Sequence, residues 1–418
     1  MNVLPAVLLV SSSIAAAAEP LSLPEAQAEA RTHAPEALEL SARLRAADRA
    51  VDVAARLFRS DPDLEVRGES EFPSGAFDTG RIEATLGLTL DLSSSSSSSG
   101  ASAQATRDAT RQNNDDELRA LDEAVALAFA ELQRSQRRVT RAEQLQSLQA
   151  AVVIAAHKQL DVGGGNQLDV DAAELDSAGA RAEVARARGS IRAAQAQLAR
   201  WIGRSDPQDV VVEDLVPSAL APPVVDVDAH IDAHPRVRAA LLEVEAARLL
   251  LEAEERRAWP QPTLALGYGV ARHDIPPGSF STSPALSAAW IDQDLALSLS
   301  APLPIFDANI EARSAAANEF ERAQVRLAMV RADVRHDIGA DAAALVSALA
   351  AFAELRGTPA LIVREYELLD RAIRAGSSDL ATRTTLLRRL DEAGQRVDDA
   401  MFDLAIARAH WDRNRSQR

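Results

Sequence analysis

One short segment restricts the fold of this chain more than any other. In RIEATLGLTLDL, residues 81–92, isoleucine, alanine and leucine occupy every second position, and charged, hydroxyl or glycine residues lie between them. Strict alternation predicts a β-strand with one apolar face and one polar face. Three more segments alternate in the same way, near 63–72, 262–271 and 293–302. Each is close to the length of about 9 to 11 residues that a tilted strand needs to cross a bilayer.

Most of the remaining sequence has helical periodicity. Apolar residues such as Leu118, Val125 and Leu132 repeat at the spacing of a coiled coil. The four longest helical patterns run over 101–160, 168–203, 311–374 and 380–413. A helix of about sixty residues spans on the order of 90 Å, which no single compact domain requires. The chain is 47% hydrophobic but only 4% aromatic, so helix–helix seams suit it better than a thick globular core.

The same order of elements occurs twice along the chain. A helical segment from His33 leads into the first pair of strands, and a similar segment from His234 leads into the second pair. Each pair is followed by a long helix, a glycine-containing break and another long helix. We therefore predict a mostly α-helical protein made of two structural repeats, 19–210 and 211–418, each with two strands and two long helices.

The N-terminus predicts export. An apolar stretch from Val3 to Val10 is followed by the small residues Ala16 to Ala18, which is the pattern of a signal peptide covering residues 1–18. Beyond it the sequence has no run of about 18 apolar residues, so we expect no transmembrane helix. A net charge of -17 argues against nucleic acid as a partner. Because the chain contains no cysteine, disulfides and cysteine-based metal sites are excluded.

Strands with these two faces fit a membrane barrel that several subunits share. The apolar face matches lipid, and the polar face matches a watery lumen. Four strands cannot close a barrel, and open strand edges in lipid are costly, so subunits must pool their strands, as a trimer would. We expect the lumen to be lined by Glu65, Arg67, Glu69, Glu71, Glu83 and Asp91. A soluble sandwich, whose leucines face a second sheet, stays open as an alternative.

Three segments resemble the TolC family of outer-membrane efflux proteins. AWPQPTLALGYG resembles the entry to the family's third strand, and LSLSAPLPIFDANIEARSAAANEF resembles its fourth strand and the turn into a long helix. LDVGGGNQLDVDAAELDSAGARAEV resembles the tip between two helices. The resemblance covers essentially the whole mature chain. It implies a homotrimer with a β-barrel in the outer membrane and an α-helical barrel that crosses the periplasm.

The resemblance also implies partners and a role for the helix tips. The protein would be the passive exit duct of a tripartite efflux or secretion system, opened by a periplasmic adaptor and an inner-membrane pump such as a resistance-nodulation-division transporter. The adaptor would dock on Val162, Gly163, Gly164, Gly376 and Ser377. Asp161, Arg374 and Asp379 are the charges placed to close the tunnel end by salt bridges. Metal ions, drugs and proteins all remain open as cargo.

One segment departs from the family pattern. Where the second repeat has PLPIFD, the first has DLSSSSSSSG, with serines at 93–99. A serine run of this kind predicts a loose linker between the second strand and the first long helix.

The sequence gives no indication of catalysis. VGGGNQ, residues 162–167, lacks the Gly-Lys-Ser/Thr end of a phosphate-binding loop and follows no strand. The seven histidines are scattered, and no helical His-x-x-x-His pair occurs. We therefore expect no enzyme activity, no cofactor and no metal site. The alternative functions are a soluble periplasmic coiled-coil adaptor or structural protein, and an enzyme with long helices.

Overall fold

The fold is mostly helical and contains one small sheet. The computed structural model describes residues 20–54, 61–71, 79–89, 94–207, 210–213, 227–259, 261–274, 289–301, 309–375 and 380–415. The predicted signal peptide lies outside these residues. In chain order the elements are α1 Leu23–His33, α2 Pro35–Ala54, β1 Asp63–Glu71, β2 Thr79–Thr89, α3 Ser95–Asp161, α4 Gln167–Ile202, α5 Val227–Ala233, α6 Pro235–Arg257, β3 Thr263–Asp274, β4 Ala289–Ser300, α7 Ile310–Leu355, α8 Thr358–Ala375 and α9 Leu380–Asn414. The predicted fold class, long helices with four strands, is confirmed.

The four strands form a single antiparallel sheet in the order β1-β2-β3-β4. The pairing between β2 and β3 joins the two strand pairs, which are far apart in the sequence. The register aligns apolar residues across the sheet: Leu86 lies opposite both Leu64 and Leu266, and Leu266 lies opposite Leu297. Because side chains alternate along each strand, this register places all the leucines on one face.

Ser95 to Ser99 of the serine run are helical, so the prediction of a loose linker was wrong for these residues, while Ser93 lies outside the described part. Ser95 to Ser99 begin α3, and most of their side chains are buried. Arg256 of α6 donates a hydrogen bond to Ser98 Oγ at 2.9 Å. One turn further on, Ser102 Oγ donates to the backbone oxygen of Ala246 at 2.8 Å. Small hydroxyl side chains let α3 approach α6 closely while their oxygens stay hydrogen-bonded. A serine-rich composition, which is typical of turns, does not reveal this contact.

The helix predicted over 311–374 is divided into α7 and α8. The break lies at Arg356 and Gly357, directly before the first turn of α8, which contains Pro359. Proline has no N–H and its ring clashes with the preceding turn, so a helix cannot pass through it unchanged. Proline is tolerated in a first turn, where the N–H has no intrahelical partner. The break therefore follows from Pro359, which the spacing of the apolar residues does not take into account.

The chain divides into two compact units that do not follow the predicted repeats. The first consists of the described parts of Met1–Ser41, Asp115–His234 and Asp333–Arg418. Its core has one cluster around Val125, Leu132 and Leu198, and a second that joins α3, α4, α8 and α9. The second unit consists of Ala42–Asn114 and Pro235–Ala332, and it contains the whole sheet. The two repeats remain a prediction from the sequence.

One stretch of α7 and α8 is apolar enough to cross a membrane by length and composition. It lies within Ile310–Ala372, and most of its apolar window is exposed. No such segment is predicted from unbroken apolar runs in the sequence, whereas this window is alanine-rich and contains charges. Alanine raises hydropathy while leaving little surface, so such a helix face also suits close packing against another helix.

Candidate functional site

None of the described residues covers the apolar face of the sheet. It carries Leu64, Val66, Ile82, Leu86, Leu264, Leu266, Tyr268, Ile291, Leu295, Leu297 and Leu299, all of them exposed. On β4 the exposed fractions of Leu295, Leu297 and Leu299 are 74%, 72% and 70%. Contiguous apolar surface of this extent is rare on soluble monomers and marks contact with lipid or protein. This face therefore requires an apolar neighbour that the described residues do not supply.

The opposite, polar sheet face is acidic. Among the described side chains its charged members are Asp63, Glu65, Arg67, Glu69, Arg81, Glu83, Asp292 and Asp294. Six carboxylates and two guanidinium groups leave four negative charges on this face. Four of the predicted lumen residues, Glu65, Arg67, Glu69 and Glu83, therefore share one face. Glu71 ends β1, with its side chain outside the described part, and Asp91 lies outside the described residues.

A salt bridge crosses the polar face above a glycine. Arg81 Nη2 on β2 lies 2.9 Å from Asp294 Oδ2 on β4, although β3 runs between the two strands. Gly269 of β3 is paired with Asp294, and a Cβ at this glycine would lie 2.6 Å from Asp294 Oδ1. The glycine therefore leaves the space that the carboxylate occupies. Sequence reasoning missed Arg81, Asp292 and Asp294, but the alternation that places Leu295 on one face also places its acidic neighbours on the other.

The two outer strands offer open edges. Among the described residues, no further strand pairs with the free side of β1 or of β4. Each open edge presents a row of backbone N–H and C=O groups that can pair with another chain. In an apolar medium, each backbone N–H or C=O group without a hydrogen-bond partner destabilises the structure by an amount on the order of several kcal/mol. The sheet is therefore complete only when other strands join both of its edges.

The reversal between α3 and α4 forms an exposed tip. Gly163 has a φ of +74°, and the neighbouring Val162 is 82% exposed. The next helix begins with a capping box, in which the Asp169 N–H donates to Asn166 Oδ1 at 2.9 Å. Positive φ at Gly163 closes the turn, and the cap fixes the start of α4. An apolar side chain is thus held at the end of a rigid hairpin, next to the exposed Asp161.

The second predicted tip is largely outside the described residues. Gly376, Ser377 and Asp379 fall in this part of the chain, and Arg374 lies in α8 with its side chain not described. The position of these four residues relative to Asp161 therefore lies outside what the structure describes. The proposed closing ring and the second docking tip stay predictions.

A buried charge cluster links α3, α8 and α9 some way from the tip. Arg141 Nε lies 3.2 Å from Asp391 Oδ1, and the same guanidinium donates to Asp398. Gly394 makes room for it, because a Cβ there would lie 2.7 Å from Arg141 Cδ. Burial raises the pKa of Asp398 despite this partner, and burial also raises the pKa of Tyr366 to about 12. Sequence reasoning missed this cluster, since an arginine on a long helix is usually solvated.

Among the described residues, no group of three or more histidines and carboxylates is arranged to hold a metal ion. A groove of about 620 Å³ lies between α7 and α9. Five alanines line it, together with the ionisable side chains of Arg396, Asp399, Asp403 and His410.

Comparison with solved structures identifies the fold. No protein-family model matches the sequence, and no curated protein matches it either. The outer-membrane channel CmeC of Campylobacter jejuni matches with a TM-score of 0.74 at 10% identity, covering 95% of this chain and 87% of that chain. The outer-membrane protein VceC of Vibrio cholerae matches with a TM-score of 0.68 at 17% identity, covering 93% and 96%.

A third structure, the open state of the outer-membrane channel MtrE of Neisseria gonorrhoeae, has a TM-score of 0.68 at 16% identity, covering 95% of this chain and 91% of that chain. Each match extends over nearly the whole length of both compared chains, so it includes the sheet as well as the long helices. The resemblance to the TolC family is therefore confirmed at the level of the fold, and this chain has the fold of the outer-membrane channels CmeC, VceC and MtrE.

Proposed function

We propose that this protein is the outer-membrane channel of a tripartite efflux or secretion system and acts as a passive exit duct. The exposed apolar sheet face carries the proposal, because leucines such as Leu295, Leu297 and Leu299 are stable only against an apolar neighbour. The opposite face is charged, which is the pattern of a strand between lipid and water. The fold shared with outer-membrane channels supports the same assignment.

The open edges of β1 and β4 favour an oligomer. Only closure of the sheet satisfies the backbone groups at both edges in a membrane, and four strands are too few to close on themselves. A trimer, as the family resemblance implies, would place β1 of one copy beside β4 of the next. The same contact, repeated head to tail, closes a ring.

The acidic polar face would line the lumen of this barrel. Four net negative charges per chain, repeated around the axis, attract cations and repel anions by simple electrostatics. Reversal potentials of single channels under a KCl gradient test this point. Cation preference is expected, and Asp294→Asn should weaken it, whereas anion preference in the unmodified channel would refute the assignment of this face to the lumen.

The tip at Val162, Gly163 and Gly164 is the proposed docking surface for a periplasmic adaptor. An exposed valine beside a glycine turn offers an apolar contact and close backbone approach. Val162→Asp should weaken adaptor binding and leave barrel insertion unchanged. Gly376 and Ser377 would form the second tip, with Asp161, Arg374 and Asp379 closing the tunnel, and an inner-membrane pump would supply the energy. We propose no catalytic role.

The main alternative is a soluble periplasmic adaptor. It is disfavoured by the sheet, because a soluble protein would have to cover the apolar face, and no described element of this chain covers it.

The decisive experiment compares the native mass of the protein in the membrane and soluble periplasmic fractions. We expect an oligomer that is recovered only with detergent and that forms conducting pores in planar bilayers. A monomer that is soluble without detergent would refute the channel and favour the adaptor.

A further inference from the structure

The polar face of the sheet carries a strip of small residues along β3. Four consecutive polar-face positions of this strand hold Ala265, Gly267, Gly269 and Ala271, so no side chain there is larger than a methyl group. Both glycines are buried beneath side chains of the neighbouring strands. Glycine weakens the interior of a strand, and it marks a place where another group approaches the backbone closely. We call these four positions the β3 floor.

The salt bridge between Arg81 and Asp294 lies over this floor. Arg81 of β2 is paired with Ala271, and Asp294 of β4 is paired with Gly269, so the two side chains lean over β3 from opposite sides. Neighbouring strands are about 4.8 Å apart, so the pair spans the roughly 10 Å between β2 and β4. Arg81 Nη2 also lies 3.8 Å from Glu83 Oε2, well beyond its 2.9 Å distance to Asp294. One guanidinium group is thus held above β3 mainly by one carboxylate.

The bridge contributes little to the stability of the sheet. The side chains of Arg81 and Asp294 are both 46% exposed. Water and salt screen an ion pair of this kind, and its two long side chains lose freedom when they pair. The glycine at 269 nevertheless keeps open the space that the carboxylate occupies. The pair therefore acts chiefly on the electrostatics of the polar face.

The second guanidinium group of this face is placed differently. Arg67 lies on the outer strand β1 and donates to Glu65 Oε1 of the same strand at 2.9 Å. Strand β2 separates Arg67 from the β3 floor. Arg67 and Arg81 therefore carry the same charge at different distances from the floor, which allows the effect of position to be separated from the effect of net charge.

We infer that the Arg81–Asp294 pair determines the ion selectivity of the lumen, and that Asp294 acts by neutralising Arg81. The inference rests on the proposed channel, whose lumen the polar face would line. While the pair is intact, it is neutral above the floor, and the remaining carboxylates of the face favour cations. Without Asp294, the guanidinium group becomes an uncompensated positive charge above the floor, which repels cations and attracts anions.

Salt concentration separates this local effect from that of the net charge. The Debye length is about 10 Å at 0.1 M salt and about 3 Å at 1 M. At 1 M, a permeating ion therefore senses only the charges that it passes closely. The small side chains of the β3 floor let ions approach the backbone, so the charges of Arg81 and Asp294 are among the closest to their path.

Two double variants with the same net charge test the inference. Arg81→Gln with Asp294→Asn removes the pair as a unit. Arg67→Gln with Asp294→Asn also removes one positive and one negative charge, but it leaves Arg81 above the floor without Asp294. Each variant keeps five carboxylates and one guanidinium group on the described polar face, so both retain its four net negative charges. The full-length protein is reconstituted in planar bilayers, and reversal potentials in a KCl gradient near 1 M give the permeability ratio of K⁺ to Cl⁻.

The two double variants should differ. Removal of the whole pair should leave the native permeability ratio nearly unchanged, whereas the variant that retains Arg81 should lower it by roughly twofold or more. Arg81→Gln alone should raise the ratio. The exchange of the two residues, Arg81→Asp with Asp294→Arg, should preserve it, because the pair is restored in the opposite orientation. The yield of detergent-extracted oligomer should be native in all of these variants, since the exposed pair adds little to stability.

The outcomes distinguish this pair from the channel itself. Equal permeability ratios in the two double variants would overturn the inference, because net charge would then explain the selectivity, and the proposed channel would stand. A lowered ratio in the exchanged variant would overturn it in the same way. Anion preference in the unmodified protein would overturn the assignment of this face to the lumen, and the selectivity of the pair with it.

If the unmodified protein forms no conducting pore, the proposed channel falls first.

Discussion

Gly203 ends helix α4 in a position that we expect to tolerate no other residue. Its φ is +76°, and its N–H donates to the backbone oxygens of Ala199 and Arg200, which closes the helix with a left-handed cap. A Cβ at this glycine would lie 2.6 Å from the backbone oxygen of His33 and 2.8 Å from its carbonyl carbon. His33 is the last residue of α1, so Gly203→Ala would push the end of α1 away from the end of α4.

Two separate costs add up in this variant. A non-glycine residue in the left-handed region costs about 1–2 kcal/mol. Forcing backbone atoms apart in a packed region costs about 1–3 kcal/mol more, since backbone cannot rotate away as a side chain can. Gly163 supplies a matched control, because its φ is +74° and a Cβ there meets nothing within 4 Å. Gly163→Ala should therefore show the first cost alone.

Hydrogen exchange of the amides in α1 measures the difference. Local opening of α1 should become easier in Gly203→Ala by about 1–3 kcal/mol, which is an exchange rate about 5- to 150-fold faster. In Gly163→Ala, the amides of α1 should exchange as in the native protein, and only the tip should lose protection. Unchanged protection of α1 in Gly203→Ala would refute the clash with His33, and equal loss in both variants would refute its local origin.

Three further perturbations follow from the same structure. Leu297→Arg places a charge on the apolar sheet face and should cost about 2–4 kcal/mol at mid-membrane, read as loss of the detergent-extracted oligomer, whereas Ser298→Arg on the polar face should be tolerated. Ser99→Leu overfills the contact between α3 and α6 and should lower the free energy of unfolding by about 1–3 kcal/mol. Ser97→Leu, at an exposed position, should leave it unchanged, and equal effects of the two variants would contradict the packing of α3 against α6. Burial raises the pKa of Asp398, so the contribution of this one group to stability should fall as pH rises from the ordinary value of 3.8 through the raised pKa. Asp398→Asn should flatten that part of the unfolding profile, and an unchanged slope would contradict the raised pKa.

The strands could be predicted from the sequence because their signal is local. Alternation places neighbouring residues on opposite faces whatever the rest of the chain does, so Leu295 and Glu83 could be assigned to faces without a structure. The same alternation locates the ends of the strands less precisely. The strand predicted over 293–302 runs from Ala289 to Ser300, and for this reason Asp292 was missed.

The features that sequence reasoning missed depend on contacts between distant segments. Ser98 is buried in a helix that packs on α6, where Arg256 donates a hydrogen bond to it, and Arg256 is far from it in the sequence. Arg141 is buried because Gly394 lies opposite it on α9. Composition predicts a loop in the first case and a solvated surface in the second. In both, tertiary packing overrides the local preference, so only the assembled helices reveal the role of the residue.

The size of the exposed apolar residues distinguishes two kinds of neighbour. On the sheet they are large, as at Leu295 and Leu299, while among the exposed apolar residues of α4 most are alanine or glycine. Lipid is fluid and fills any shape, so a membrane-facing surface gains most from large side chains that bury more area. A neighbouring helix is rigid, and its backbone comes close only where side chains are small. In the proposed channel, the leucines of the sheet would face lipid, while the small residues of α4 would suit the close approach of another helix.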